Sequence, residues 1–397
     1  ASAAKTKNDS QDVSISNLNS TTASLNTSVS NINSFTSSAA SRLTTLEGSG
    51  TIQGLGTGNN VTFAKVTTTG DVIVGGDLVV QGNTTTLNTA NGSTTQTSGG
   101  GQIILGGGSA VDANSNPTGA AVSANDGAVA LGGAGSAAIY SGGGNISIKG
   151  NSSGGTGVMV QRNTNIYAGN GSINIVGCGT TNGVYFNYNN FNTGYNITAG
   201  GDISIVGSSS NTTSSLNAGI LANQSVASTI RSTGGSLTLN GTGGSYGLYS
   251  TSSQTFIADV GNLTLAGSSS GANASFGVYS LGNLLAGSSN ISISSSSGPL
   301  LLAGAVGQSA GSVITSSTSN VSISAGNLIL GCSSLSAAAP IIYTQNGSIT
   351  LRFNTYTSSY GTTILGTNGS ISILPLTDSA GFGGTLNLSN FNVNPSS

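Results

Sequence analysis

Two different rhythms of apolar residues divide this chain. Between residues 13 and 47 the rhythm is heptad. Ile15, Val29 and Leu43 hold one core position, with Thr22 and Thr36 between them, and Leu18, Leu25, Ile32, Ala39 and Leu46 hold the other. Such spacing gives a helix one narrow seam that has to be buried against something else. Ser, Thr and Asn flank the seam where Glu and Lys would be usual. Ser and Thr are poor helix formers, so the helix is expected to need a partner. That partner is either another copy or the chain's own β region. Gly48 and Gly50 stop the helix.

Beyond residue 50 the rhythm falls to two. It is carried first by Val61-Thr62-Phe63, Val72-Ile73-Val74 and Leu78-Val79-Val80. From Gly144 a unit recurs: Gly, a small polar residue, then aliphatic, polar, aliphatic. Asn145-Ile146-Ser147-Ile148, Ser172-Ile173-Asn174-Ile175, Asp202-Ile203-Ser204-Ile205 and Asn262-Leu263-Thr264-Leu265 are examples, and the series is expected to continue at Leu300, Leu328, Ser348, Ser370 and Thr385. The leading glycines lie between 21 residues (Gly326 to Gly347) and 37 residues (Gly261 to Gly298) apart. Self-similarity at such a period predicts a solenoid.

A second series follows each unit: Val158-Met159, Val184-Tyr185, Ile220-Leu221, Leu248-Tyr249, Val278-Tyr279 and Ile342-Tyr343. A third short strand precedes the next unit, as in Asn165-Ile166-Tyr167 and Asn196-Ile197-Thr198. The expectation is an all-β, three-strand-per-coil right-handed β-solenoid (β-helix) with a short N-terminal coiled-coil α-helix. Alternate aliphatic residues point inward and stack from coil to coil, while Ser, Thr and Asn face out. The expected segments are a polar leader (1–12), the helix (13–47), β-structured shaft repeats (48–100) and the solenoid with a C-terminal capping tail (101–397).

Residues 66–74 (Val-Thr-Thr-Thr-Gly-Asp-Val-Ile-Val) and 78–89 (Leu-Val-Val-Gln-Gly-Asn-Thr-Thr-Thr-Leu-Asn-Thr) give residues 61–89 a character that resembles the repeats of bacteriophage and large-virus fibre proteins. That resemblance implies a trimeric β-structured shaft. The Gly-Asn-Ile-Ser-Ile and Gly-Asn-Leu-Thr-Leu units of residues 144–390 resemble the right-handed β-helix of filamentous-haemagglutinin-type adhesins. This implies the fold but not one function, since adhesins, fibres and lyases share it.

Composition narrows the function. Only 5% of the residues are charged, eight Lys+Arg and ten Asp+Glu in 397, against roughly 25% in an ordinary domain. A net charge of −2 without a basic run argues against a nucleic-acid partner. The apolar stretch from Pro299 to Val306 is too short to span a bilayer, so no membrane insertion is expected. Histidine is absent, which removes Ser-His-Asp and Cys-His nucleophile pairs and the usual zinc sets. Asp202 and Asp259 are the only acids between Asp126 and Asp378, and they sit at different strand positions, unlike the close pair that glycoside hydrolysis needs. No enzyme, cofactor or metal site is expected. The opening Ala1-Ser2-Ala3-Ala4 matches a processed signal-peptide site, and a trimmed chain would look the same.

Several smaller features carry their own expectations. Asp112-Ala113-Asn114-Ser115-Asn116 starts like a calcium loop, but Pro117 replaces the required Gly and Ser123 the required Glu, so a turn held by Asx side chains is expected. Cys178 and Cys332 follow Ile175-Val176-Gly177 and Ile329-Leu330-Gly331, and are expected at the same place in their coils, five coils apart. At roughly 4.8 Å per coil that is about 24 Å, beyond disulfide reach. The run Tyr185, Phe186, Tyr188, Phe191 and Tyr195 is either a ring ladder continued by Tyr249, Tyr279 and Tyr343, an interface anchor, or a platform for sugars. Asn-x-Ser/Thr triplets, among them Asn19, Asn60, Asn145, Asn196, Asn262 and Asn320, follow from the composition, and those at coil corners are expected to form side-chain ladders instead of glycosylation sites.

Together these features point to a non-enzymatic structural subunit of an extracellular or virion-surface fibre. Its partners are copies of itself, joined through the seam (Ile15, Leu18, Leu25, Val29, Ile32, Leu43 and Leu46) and through solenoid ends whose neutral edges lack the usual charged guards. A receptor- or glycan-binding adhesin that contacts a cell-surface glycan or host receptor is the alternative, and a β-helix polysaccharide-degrading enzyme stands behind both.

Overall fold

The computed structural model describes residues 1–49, 78–80, 85–87, 93–98, 102–108, 110–111, 117–118, 120, 127–132, 136–186, 193–212, 217–223, 226–251, 253–271, 276–302, 313–316, 320–330, 341–344, 347–358, 362–366, 370–376 and 391–395. The chain divides into two compact units, Ala1–Val72 and Ile73–Ser397.

In the first unit a single helix, α1, spans Ser2–Ser49, so it also takes in the residues expected as a polar leader. Several of its hydroxyls are turned back onto its own backbone. Thr22 Oγ1 donates to the Leu18 carbonyl at 2.9 Å and Thr36 Oγ1 to that of Ile32 at 2.9 Å, and Ser14, Thr21, Thr27, Ser28 and Thr44 do the same. Such bonds satisfy a hydroxyl without help from a neighbouring element. Lys5 pairs with Asp9 one turn on, at 3.1 Å. Among the described residues no helix is long and apolar enough to cross a membrane.

The second unit is mostly parallel β and forms a solenoid of about six turns. Parallel pairings link most of its described strands into three series, or columns. The first runs through Ile146–Asn151, Ile173–Gly179, Ile203–Ser209, Leu237–Gly243, Leu263–Ser269 and Ile291–Ser297. The second runs through Val158–Val160, Asn182–Phe186, Ala218–Ala222, Tyr246–Ser250, Phe276–Ser280 and Leu300–Leu302. The third runs through Thr164–Tyr167, Asn196–Ala199, Ser228–Ser232, Gln254–Ala258, Asn283–Ala286 and Val313–Ser316. The columns continue below into the expected shaft segment, where Leu78–Val80 pairs with Ile103–Gly107 and Ser93–Ser98 with Ser136–Ser141. The rest of residues 50–77 and the triplet at Thr385 lie outside the described residues.

Alternation decides which side chains enter. In the first column Ile146, Ile173, Ile203, Leu237, Leu263 and Ile291 lie directly over one another, and Ile148, Ile175, Ile205, Leu239, Leu265 and Ile293 form a second inward file. All are at most 1% exposed. Each such side chain contributes roughly 1.5–3 kcal/mol of transfer free energy when fully buried. The residues between them are Ser147, Asn174, Ser204, Thr238, Thr264 and Ser292.

A polar file guides the stacking at the entrance to the first column. Asn145 Oδ1 accepts the Ser172 amide at 2.9 Å, Ser172 Oγ that of Asp202 at 3.1 Å, and Asp202 Oδ1 that of Ser236 at 2.7 Å. The series continues through Ser236, Asn262, Asn290 and Asn320 to the Ser348 amide. Each side chain therefore holds the backbone one coil above. Of the triplet asparagines, Asn145, Asn262 and Asn320 take part, whereas Asn196 accepts from Thr198 in its own strand.

The corner between the first and second columns is built on facing glycines. A Cβ placed on Gly177, Gly207, Gly241 or Gly267 would lie 1.9–2.0 Å from the carbonyl oxygen of Gly183, Gly219, Gly247 or Gly277. The pattern ends where Ser295, Ala325 and Phe353 take over the position. At Ala325 and Phe353 the chain runs straight from one column into the next, as Val321–Leu330 and Ile349–Ser358.

Three register expectations are corrected by the pairings. Leu300 and Leu328 belong to the second column, not the first. Asn290 and Asn320 lead the first-column strands there, while Gly298, at φ 82°, is the turn between columns. Tyr343 sits in the third column, paired with Thr315, so it does not continue the file of Tyr249 and Tyr279. Ile329 and Leu330 likewise lie in the second column, so the strand before Cys332 is not equivalent to the one before Cys178. Cys332 itself and residues 112–116 lie outside the described residues, and Cys178 is an exposed free thiol.

Candidate functional site: the helix seam and the outer aromatic residues

The seam of α1 follows directly from heptad spacing on a regular helix. Ile15, Leu18, Leu25, Val29, Ile32 and Leu43 are between 51% and 66% exposed, while the side chain of Leu46 is outside the described set. Phe35, 75% exposed, lies beside this row. Thr22 and Thr36 interrupt the aliphatic row, but their hydroxyls are already bonded to carbonyls of the same helix. Burial of the seam would therefore leave no unmet hydroxyl at either position. Chemically the surface offers apolar contact: a narrow stripe between Ser, Thr and Asn.

The predicted aromatic run is split by the alternation of its strand. Tyr185 points outward from the second column and is half-buried, whereas Phe186, next to it, points inward and is fully buried. Tyr195 is also inside, stacked on Phe186 with ring centroids 4.8 Å apart and planes at 29°. Neither ring is therefore available as an exposed sugar platform or interface anchor. Tyr188 and Phe191 lie outside the described residues. The Tyr195 hydroxyl donates to Gln254 Oε1, past Ser228 in the intervening coil. Gln254 Nε2 is buried without a hydrogen-bond partner. Burial pushes the Tyr195 phenol well above its ordinary range.

Tyr185 shares its outward file with Leu221, Tyr249 and Tyr279, as the expected ladder has it for these three tyrosines. Tyr249 stacks on Tyr279 at 4.9 Å and 8°, and Tyr246 on Phe276 at 6.0 Å and 7°. Edge contacts between these two stacks, such as Tyr246–Tyr249 at 5.0 Å, close a four-ring cluster. Burial raises the pKa of Tyr246 and Tyr249, the latter raised further by the charge of the former. The repeated pattern Tyr246-Gly247-Leu248-Tyr249 and Phe276-Gly277-Val278-Tyr279 is the signal that identifies this cluster in the sequence.

On the third column Tyr140 and Tyr167 are 36% and 47% exposed and meet edge-on, with centroids 6.4 Å apart. Three coils above Tyr140, the Arg231 guanidinium pairs with Asp259 at 2.8 Å. Among the described residues no three His, Cys, Asp or Glu side chains come close enough to hold a metal ion. No family model, curated protein or solved structure matches the chain.

Proposed function

We propose that this chain is a non-enzymatic structural subunit of an extracellular or virion-surface fibre, and that it self-associates through α1 and the solenoid ends. The observation that carries this reading is the exposed apolar seam. A 48-residue helix with a row of exposed Ile, Leu and Val, broken only at Thr22, Thr36 and Ala39, is stable in water only when that row is covered. The neutral surface supports the same reading. With 5% charged residues, the solenoid has little to keep its strand edges apart. The coil is read as three-stranded and right-handed, since parallel β crossovers take that hand almost without exception. Absence of histidine from the sequence supports a non-catalytic role. Sedimentation and negative-stain microscopy of the purified chain test the proposal. Oligomers or filaments are expected, and a chain monomeric at all concentrations would refute it.

A second reading, a glycan-binding adhesin, draws on Tyr140 and Tyr167, whose exposed rings suit the apolar face of a sugar. A glycan array with wild type and a Tyr140→Ala/Tyr167→Ala variant tests it. Binding that survives the double substitution would count against this site.

A further inference from the structure

We infer that α1 assembles as a parallel, in-register bundle with identical helices from other copies, and that the positions beside the seam select this arrangement. The inference rests on self-association through α1 and adds its direction and register. Because α1 starts at Ser2, the heptad extends one repeat before Ile15, placing Asn8 and Gln11 at the two core positions. A polar residue at a core position is a known device for setting register.

The side positions supply the stronger argument. In parallel helices in register, the residue preceding one core position faces, on the neighbour, the residue five further along. Along α1 this pairs Lys7 with Asp12 at one end and Arg42 with Glu47 at the other. Between them it pairs Ser14 with Asn19, Thr21 with Asn26 and Ser28 with Asn33, each a hydroxyl with an amide. The remaining pair is Phe35 with Ala40, so the most exposed ring of the helix meets a methyl group beside the thin Thr36/Ala39 layer. All six pairs are chemically matched.

Neither charged pair can close inside one helix. Five residues along a helix are roughly 140° apart around it, and only spacings of three or four bring side chains together. Lys5 and Asp9 have that spacing and do bond, at 3.1 Å. An antiparallel pair with the same overlap would instead set Lys7 against Arg42, Asp12 against Glu47 and Ser14 against Phe35. Like charges and a buried hydroxyl disfavour it. The six charged residues of the helix thus comprise one intrahelical pair and four charges that match only between parallel copies.

The test uses the full chain with Cys178→Ser and Cys332→Ser. Adding Gln11→Cys should give disulfide-linked dimers under mild oxidation, because the two sulfurs then share a layer. A link that forms only when Gln11→Cys chains are mixed with Leu43→Cys chains would show an antiparallel bundle and overturn the inference. Asp12→Lys should weaken self-association on the order of ten-fold, and Lys7→Asp combined with Asp12→Lys should restore it. Failure of the swap to restore it would also overturn the inference. Oligomers without the residue-11 link would sink the parallel register alone, whereas a monomeric chain would remove self-association itself.

Discussion

Ser295 pairs with Gly267 across neighbouring coils of the first column, and at that pair the glycine corner gives out. A Cβ on Gly277 would lie 1.9 Å from the Ser295 hydroxyl oxygen, and the register slips between Gly267 and Ser268. Ser295 Oγ donates to the carbonyls of Ser297 and Gly298, so it occupies the corner itself. Below this point two glycine backbones meet at the corner; above it the strand runs through.

Gly241→Ala tests that corner. Its new methyl would sit 1.9 Å from the Gly247 carbonyl oxygen, so the coil has to open, at a cost of about 1–3 kcal/mol. Gly326→Ala, with nothing within 4 Å, should be neutral or stabilising. Hydrogen exchange should show faster amides in Leu237–Gly243 and Tyr246–Ser250 for the first variant only. Local measurement is needed because long repeat arrays do not unfold as one unit.

The buried Tyr195–Gln254 pair gives a prediction with a sign. Tyr195→Phe leaves Gln254 with both amide ends unmet and should destabilise by about 1–3 kcal/mol. Adding Gln254→Leu should recover most of that loss, since removal of both partners is nearly neutral. Thermal unfolding of the single and double variants checks it. A double variant worse than the single one would refute the account.

Alkaline pH should act through the same residue. The Tyr195 pKa is raised in the fold by burial, above a value near 10 in the unfolded chain. Its contribution is therefore fully present below about pH 10 and is lost as pH rises from there through the folded value. Tyr246 and Tyr249, raised in the same direction, add to the effect. Stability should fall above pH 10, and less steeply in Tyr195→Phe. Tyrosinate absorbance against pH, with urea midpoints, provides the measurement.

The polar file should be visible one coil away from a substitution. Asn290 Oδ1 holds the Asn320 amide at 3.0 Å. Asn290→Ala should therefore speed exchange at the Asn320 amide several-fold while the amides of Val321 and Ile323 stay protected, because their ladder partners are unchanged.

Leu25→Asp probes the seam. A carboxylate at a core position of the helix bundle should abolish oligomers in sedimentation, while the β-sheet signal in circular dichroism stays the same. Persistence of the oligomers would move assembly away from α1.

Apolar spacing alone determined the helix, the coil-by-coil recurrence of Ile and Leu, and the polar residues at the entrance to each coil, because periods of seven and two are written into consecutive residues. Asn145 and Asn262 could be placed at the head of their units for the same reason. Which column a short unit joins could not be read this way. Leu300 and Tyr343 fit two columns equally well by local pattern, and only the parallel pairing with the coils on either side assigns them. The orientation of Phe186 and Tyr195 was likewise decided in three dimensions. Phe186 ends a second-column strand and Tyr195 leads into a third-column one, and only the closed coil stacks the two rings on each other inside.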